Sequence, residues 1–206
     1  PRGYDHILFL VALTAMYPPR AWKRVLVLVT AFTLGHSLTL ALATLGRIRV
    51  GAALVELVIP LTILATALLN AGEVWWGGRA RAPGPPTRGM GRDGARPPGT
   101  GGASFEPRGG RLAKYVLAAA FGLVHGLGFS NFLRAALGGE ESLAVPLLAF
   151  NVGVEVGQIF IVLGIMAATD VVTARLGVSL KAWTLVLSGI AGVMALRLVA
   201  GQLSLF

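Results

Sequence analysis

Runs of about 20 apolar residues recur along this chain, and each is long enough to cross a hydrocarbon core about 30 Å thick as a helix. Over 206 residues the sequence is 55% hydrophobic and 13% charged, with a mean hydropathy of +0.74. Those values leave no room for a conventional soluble core with a charged shell, and they predict an integral membrane protein. The runs place helices at about 4–17, 24–46, 52–71, 112–137, 143–168 and 182–203. The expected fold is all-α: a polytopic protein with six transmembrane helices in one bundle and a single membrane domain over 1–206. The first run is short, and the chain opens at Pro1 without an initiator Met, so an upstream part is expected to have been removed. Pro60 falls inside the third run, where a membrane helix tolerates it as a kink. Trp75 and Trp76 follow as interface residues.

Residues 77–110 are rich in Gly, Pro and Arg, with some Ser and almost nothing able to form a core, and read as a disordered cytoplasmic loop. The net charge of +9 does not point to nucleic acid, because the basic residues lie between the apolar runs. With six helices, Arg20, Lys23, Arg24, Arg79, Arg81, Arg88, Arg92, Arg96, Arg108, Arg111, Lys114, Arg175 and Lys181 share one side, 13 of the 18 Lys and Arg residues. The positive-inside rule makes that side cytoplasmic, with both termini outside a multi-pass protein of the cell membrane. The bilayer is the first partner, and the sequence is compatible with a homo-oligomer.

The chain has three histidines, and each lies in or at the lip of an apolar run: Asp5-His6, Phe32-Thr-Leu-Gly-His36-Ser37 and Phe121-Gly-Leu-Val-His125-Gly126. Ionisable groups at membrane depth are costly and mark functional sites by default. His36 lies twelve residues beyond Arg24 and His125 eleven beyond Lys114, which at ~1.5 Å per residue puts both roughly 16–18 Å from the inner surface. Glu155 falls at a comparable depth on helix five. Asp5, His6 and Glu56 are expected above them, towards the outside, so the candidates define an outward-opening cavity. Thr33 and Ser37 around His36, and Gly122 and Gly126 around His125, are small and are expected to leave space for an ion or water.

On helix five, Asn151, Glu155 and Gln158 share one face, while Gly153 and Gly157 lie opposite, where another helix is expected to approach closely. Asn151 and Gln158 equally suit an interhelical hydrogen-bond network; Glu56 equally suits pairing with Arg47 or Arg49, and Asn70 a helix cap. The repeated Phe-to-His spacing of helices two and four is a local motif on helices that run the same way, and not an inverted repeat. With no cysteine in the chain, a bound metal must be held by imidazole, carboxylate or carbonyl groups. That donor set suits a divalent transition metal: nickel, cobalt, zinc, iron(II) or manganese.

Gly-Tyr-Asp5-His6, Phe32-Thr-Leu-Gly-His36-Ser37, Phe121-Gly-Leu-Val-His125-Gly-Leu-Gly-Phe129 and Phe150-Asn151-Val-Gly-Val-Glu155-Val-Gly-Gln158 together resemble the HupE/UreJ family of small membrane proteins. The resemblance runs through nearly the whole chain outside the Gly/Pro/Arg loop. It implies a metal permease supplying nickel or cobalt. A family histidine six residues ahead of the Asp of the Asp-His pair would fall before Pro1. The second His and the acid that hydrogenase-linked members carry around the helix-four motif have no counterpart at His125–Phe129. Between Arg24 and His36, helix two offers only Thr30 and Thr33, so the inner half of the path is expected to be dry. Two further functions therefore stand beside the permease. One is an intramembrane zinc hydrolase with Glu155 or Asp5 as general base; the other is an accessory protein that loads metal onto a partner.

Overall fold

The computed structural model describes residues 4–79, 108–137 and 144–204. Among the described residues six α-helices carry the chain: α1 (Tyr4–Thr14), α2 (Trp22–Thr44), α3 (Ala52–Arg79), α4 (Arg108–Leu137), α5 (Ala144–Asp170) and α6 (Leu180–Leu203). The protein is thus an all-α, multi-pass membrane bundle. α2 to α6 are long and apolar enough to cross a bilayer, whereas α1, with 11 residues, is shorter. The expected 77–110 loop is helical at both ends, up to Arg79 and from Arg108; the rest lies outside the described residues.

Helix ends follow local chemistry more than hydropathy. α2 closes on Gly46, whose φ of 72° is open to glycine; Gly46 N–H bonds Ala43 O at 3.1 Å and Arg47 N–H bonds Leu42 O at 2.9 Å. That pair of reversed bonds satisfies carbonyls that the helix end would leave orphaned. Pro18 and Pro19 stop α1 short of Tyr17, with Pro19–Ala21 forming a single 3-10 turn into α2. Ser179 caps α6 by accepting from Ala182 N–H at 3.2 Å. α3 outlasts its expected end near residue 71 because Asn70 and Glu73 find partners: the polar residues that lower hydropathy there are bonded to other helices.

The bundle has the polarity of a protein dissolved in lipid. Leu34, Leu68 and Phe160 are 67%, 63% and 70% exposed, while Thr33, His36, Asn70, Gln158 and Ser188 are buried. Large apolar side chains on the perimeter and polar ones inside invert the soluble pattern and leave lipid as the outer solvent.

Side-chain contacts set the direction of each helix. Gly35 faces Ala119 and Leu123, and Gly126 faces His36 and Thr39, so α2 and α4 run parallel. Ser37 with Asn151 and Thr33 with Gln158 make α5 antiparallel to α2. Asn70 with Ser188 and Glu56 with Gln202 make α6 antiparallel to α3. α1 lies inside the bundle against α3, α5 and α6, with Phe9 stacked on Phe32 of α2 at 4.7 Å and edge-on to Phe121 of α4 at 5.9 Å. Asp5, Glu56 and Gln202 consequently meet at one end, and Arg20, Lys23, Arg24, Lys114 and Lys181 belong to the other.

Candidate metal centre

The site begins with a glycine seam. A Cβ on Gly35, Gly122 or Gly126 would collide with backbone oxygens of the facing helix, Ala119 O, Phe32 O and His36 O respectively. Only glycine lets α2 and α4 come this close, and Thr39 Oγ1 donates across the seam to Leu123 O at 2.7 Å. Gly122 and Gly126 therefore do not leave space for an ion, as the sequence suggested. Their space is filled by the backbone of α2, and the contact holds His36 and His125 side by side. Gly153 and Gly157 reverse the expectation in the other sense: no atom lies within 4 Å of a Cβ built on either, so no helix approaches there.

α1 then inserts His6 between the other two. Its ring centroid lies 5.3 Å from that of His36 and 4.9 Å from that of His125, each nearly perpendicular. His6 is thus level with the pair, not above it. Phe129 packs on His6 at 5.0 Å, Phe9 on His125 at 5.0 Å and Phe32 on His125 at 5.2 Å, so the imidazoles are walled by aromatic rings.

Both ring nitrogens of His6, both of His36 and Nδ1 of His125 are shielded from solvent and have no hydrogen-bond partner among the described residues. An unsatisfied buried polar atom costs about 1–3 kcal/mol, so five in one cluster are suited to an ion or to ordered water. The sixth nitrogen, His125 Nε2, lies 3.0 Å from Thr62 Oγ1, whose own proton goes to Ile59 O at 2.7 Å. Thr62 then accepts from Nε2–H, which leaves Nδ1 with the lone pair. Neutral imidazole nitrogens are borderline donors suited to nickel, cobalt and zinc. Among the described residues no group of three or more His, Asp or Glu side chains is drawn up to hold a metal ion. The rings stand edge to face, a set of donors and not a closed coordination shell.

Two cavities meet at His6. One, of about 330 Å³, opens at the acidic end and is lined by Asp5, His6, Glu56, Pro60 and Gln202. Glu56 Oε2 accepts from Gln202 Nε2 at 3.5 Å, and among the described residues no ion pair joins Glu56 to Arg47 or Arg49. Pro60 has no N–H to return to the Glu56 carbonyl, which frees that oxygen beside the cavity. The other, of about 230 Å³, runs between α1, α2 and α5 past His36, Val154, Gly157 and Gln158. Glu155, half-buried on α5, is not in that wall.

Asn151 and Gln158 are rungs between helices. Ser37 Oγ donates to Asn151 Oδ1 at 2.9 Å and Thr33 Oγ1 lies 2.8 Å from Gln158 Oε1, tying α5 to α2. Gln158 Nε2 is buried without a partner beside the second cavity. Asn70 is no cap, since it lies nine residues before the end of α3. Its Nδ2 bonds Ala12 O at 2.7 Å and Ser188 Oγ at 3.1 Å, joining α1, α3 and α6.

The expected dryness of the inner half is also corrected. Polar groups continue past the histidines on α3 as Thr62, Thr66, Asn70 and Glu73, spaced three and four residues apart on one face. The period was legible in the sequence, but on a helix that carries no histidine.

Neither a curated protein nor a solved structure matches the chain. The family model described as HupE / UreJ protein matches residues 1–80 and 104–202. The match takes in all six helices and every histidine, and the chain belongs to the HupE/UreJ family.

Proposed function

We propose that the protein takes up a divalent transition-metal ion, nickel or cobalt, from the acidic mouth, binds it at His6, His36 and His125, and passes it across the membrane. The observation that carries this reading is the set of five unpartnered imidazole nitrogens clustered around His6, which itself lines the acid-lined cavity. Asp5 and Glu56 raise the local concentration of cations at the mouth, where a low-dielectric wall strengthens their field. The imidazoles then replace water around the ion, with His125 donating through Nδ1. Asp5 lies next to His6 and offsets the charge brought in from outside. Glu155, one turn from Gln158, does the same from α5. Thr33, Ser37, Asn151 and Gln158 hold α5 in place beside the cluster. In this reading the acidic mouth faces outside and the Lys/Arg end faces the cytoplasm.

Nickel and cobalt are the cargo that the family resemblance implies. Zinc fits the same donors and serves as the competitor ion. Purified protein is expected to bind one equivalent of Co²⁺ or Ni²⁺ by elemental analysis, and His36→Ala or His125→Ala to lose it. Proteoliposomes are expected to accumulate the same ion, with uptake cut at least tenfold in Glu155→Gln. Binding that survives both histidine substitutions would sink the metal site, and binding without uptake would sink the permease.

A further inference from the structure

The polar row on α3 does not end in lipid. Thr66 Oγ1 bonds Thr62 O at 2.8 Å, one turn beyond the Thr62 contact with His125. A third cavity, of about 50 Å³, follows, lined by Thr66, Asn70, Glu73, Lys114, Met16 and Phe121. That is room for a few water molecules or one partly dehydrated cation. Among its polar groups, the Asn70 amide and the Glu73 carboxylate carry the oxygen donors suited to a cation. Asn70 uses Nδ2 on Ala12 O and Ser188 Oγ, which leaves Oδ1 to accept. The Glu73 carboxylate is held by Lys114, with Nζ to Oε2 at 3.0 Å. Phe9 and Phe32 pack on His125, and Phe9 meets Phe121 of the cavity wall edge-on, so the rings beside the histidines are apolar and α3 offers the polar way round.

We propose that this inner cavity is a second divalent-cation site, built by Glu73 and Asn70, in which the Lys114 ammonium fills the ion's place until an arriving cation displaces it. The proposal rests on the transport reading above and extends it to the exit. A divalent ion attracts the carboxylate about twice as strongly as an ammonium does at equal distance. Glu73 is 46% exposed, so an arriving ion reaches its carboxylate from water, while Lys114, whose Nζ also lies 3.7 Å from Met16 Sδ, gives up the carboxylate by moving on its flexible stem. Oxygen donors hold nickel and cobalt less firmly than imidazole does, so the ion steps from a tighter site to a looser one as it leaves.

The test uses the full chain with Co²⁺ or Ni²⁺ as the only ligand. Lys114→Gln is expected to raise the bound metal from one to two equivalents, and Lys114→Gln with Glu73→Gln to return it to one. Glu73→Gln alone is expected to keep one equivalent at unchanged affinity while proteoliposome uptake falls at least tenfold. Thr66→Val leaves the ion pair intact and serves if the Glu73 variant does not fold; it too is expected to lower uptake without touching binding. Stoichiometry that stays at one in Lys114→Gln overturns the second site, and wild-type uptake in both Glu73→Gln and Thr66→Val overturns its place on the route. Failure of the histidine reading has a different signature: wild-type protein then binds no metal, while Lys114→Gln still gains one equivalent.

Discussion

At the scale of the residue, the state of His125 is decided by a hydroxyl on another helix. Thr62 Oγ1 gives its proton to Ile59 O and takes one from Nε2, so the tautomer that presents Nδ1 to the cluster is the one the fold selects. Thr62→Val keeps the volume and removes that choice. Both His125 nitrogens would then be unpartnered, and the tautomers would come close in energy. Loss of a hydrogen bond behind a metal-ligating histidine weakens affinity by about 10- to 100-fold. We expect Thr62→Val to weaken Co²⁺ binding within that range in a titration, with stoichiometry unchanged and the metal-free protein destabilised by about 1–3 kcal/mol. His6 and His36 have no such partner, and their tautomers are free to follow the ion.

At the scale of the element, the α2–α4 seam is what turns two histidines on separate helices into neighbours. Gly126→Ala would place a methyl group against His36 O and Thr39 Oγ1, backbone as well as side chain, and neither helix can yield without moving His36. The expected result is a lower melting temperature, from a loss of about 1–3 kcal/mol, together with loss of the bound equivalent. Gly153→Ala, with nothing within 4 Å of its Cβ, is the matched control and is expected to change neither. A melting temperature that falls equally in both would show that the seam is not what holds the site.

The same seam marks where the sequence stops being legible. Length and hydropathy carried the helices, because lipid leaves an apolar run of that length few alternatives. They could not say which glycines meet a neighbour: Gly122 and Gly126 look no different in sequence from Gly153 and Gly157. Counting residues from Arg24 and Lys114 set His36 and His125 at one level, since parallel helices in contact keep their register. It missed His6 because no Lys or Arg on α1 offered a point to count from, and α1 packs inside the bundle. The histidines stood out as rare ionisable groups. The threonines of α3 did not, since a hydroxyl costs little in a helix when it bonds the preceding turn, as Thr66 does to Thr62 O.

At the scale of the whole molecule, function depends on which way the acidic mouth faces. The ends differ in charge: Asp5 and Glu56 line the cavity at one, which also carries Arg47 and Arg49 in the α2–α3 turn, and Arg20, Lys23, Arg24, Lys114 and Lys181 gather at the other. Cationic flanks stay in the cytoplasm, so uptake from outside follows if the basic end is inside, and efflux follows if it is not. The chain contains no cysteine, so a single introduced thiol reports its own side without background. Ser204→Cys, just after α6 at the acidic end, and Ala113→Cys, at the basic start of α4, are both on exposed positions. In intact cells a membrane-impermeant maleimide is expected to label Ser204→Cys at once and Ala113→Cys only after permeabilisation. The reverse pattern would turn the acid-lined cavity into a cytoplasmic mouth. The order of sites would then run from Glu73 to the histidines, and the protein would be an exporter.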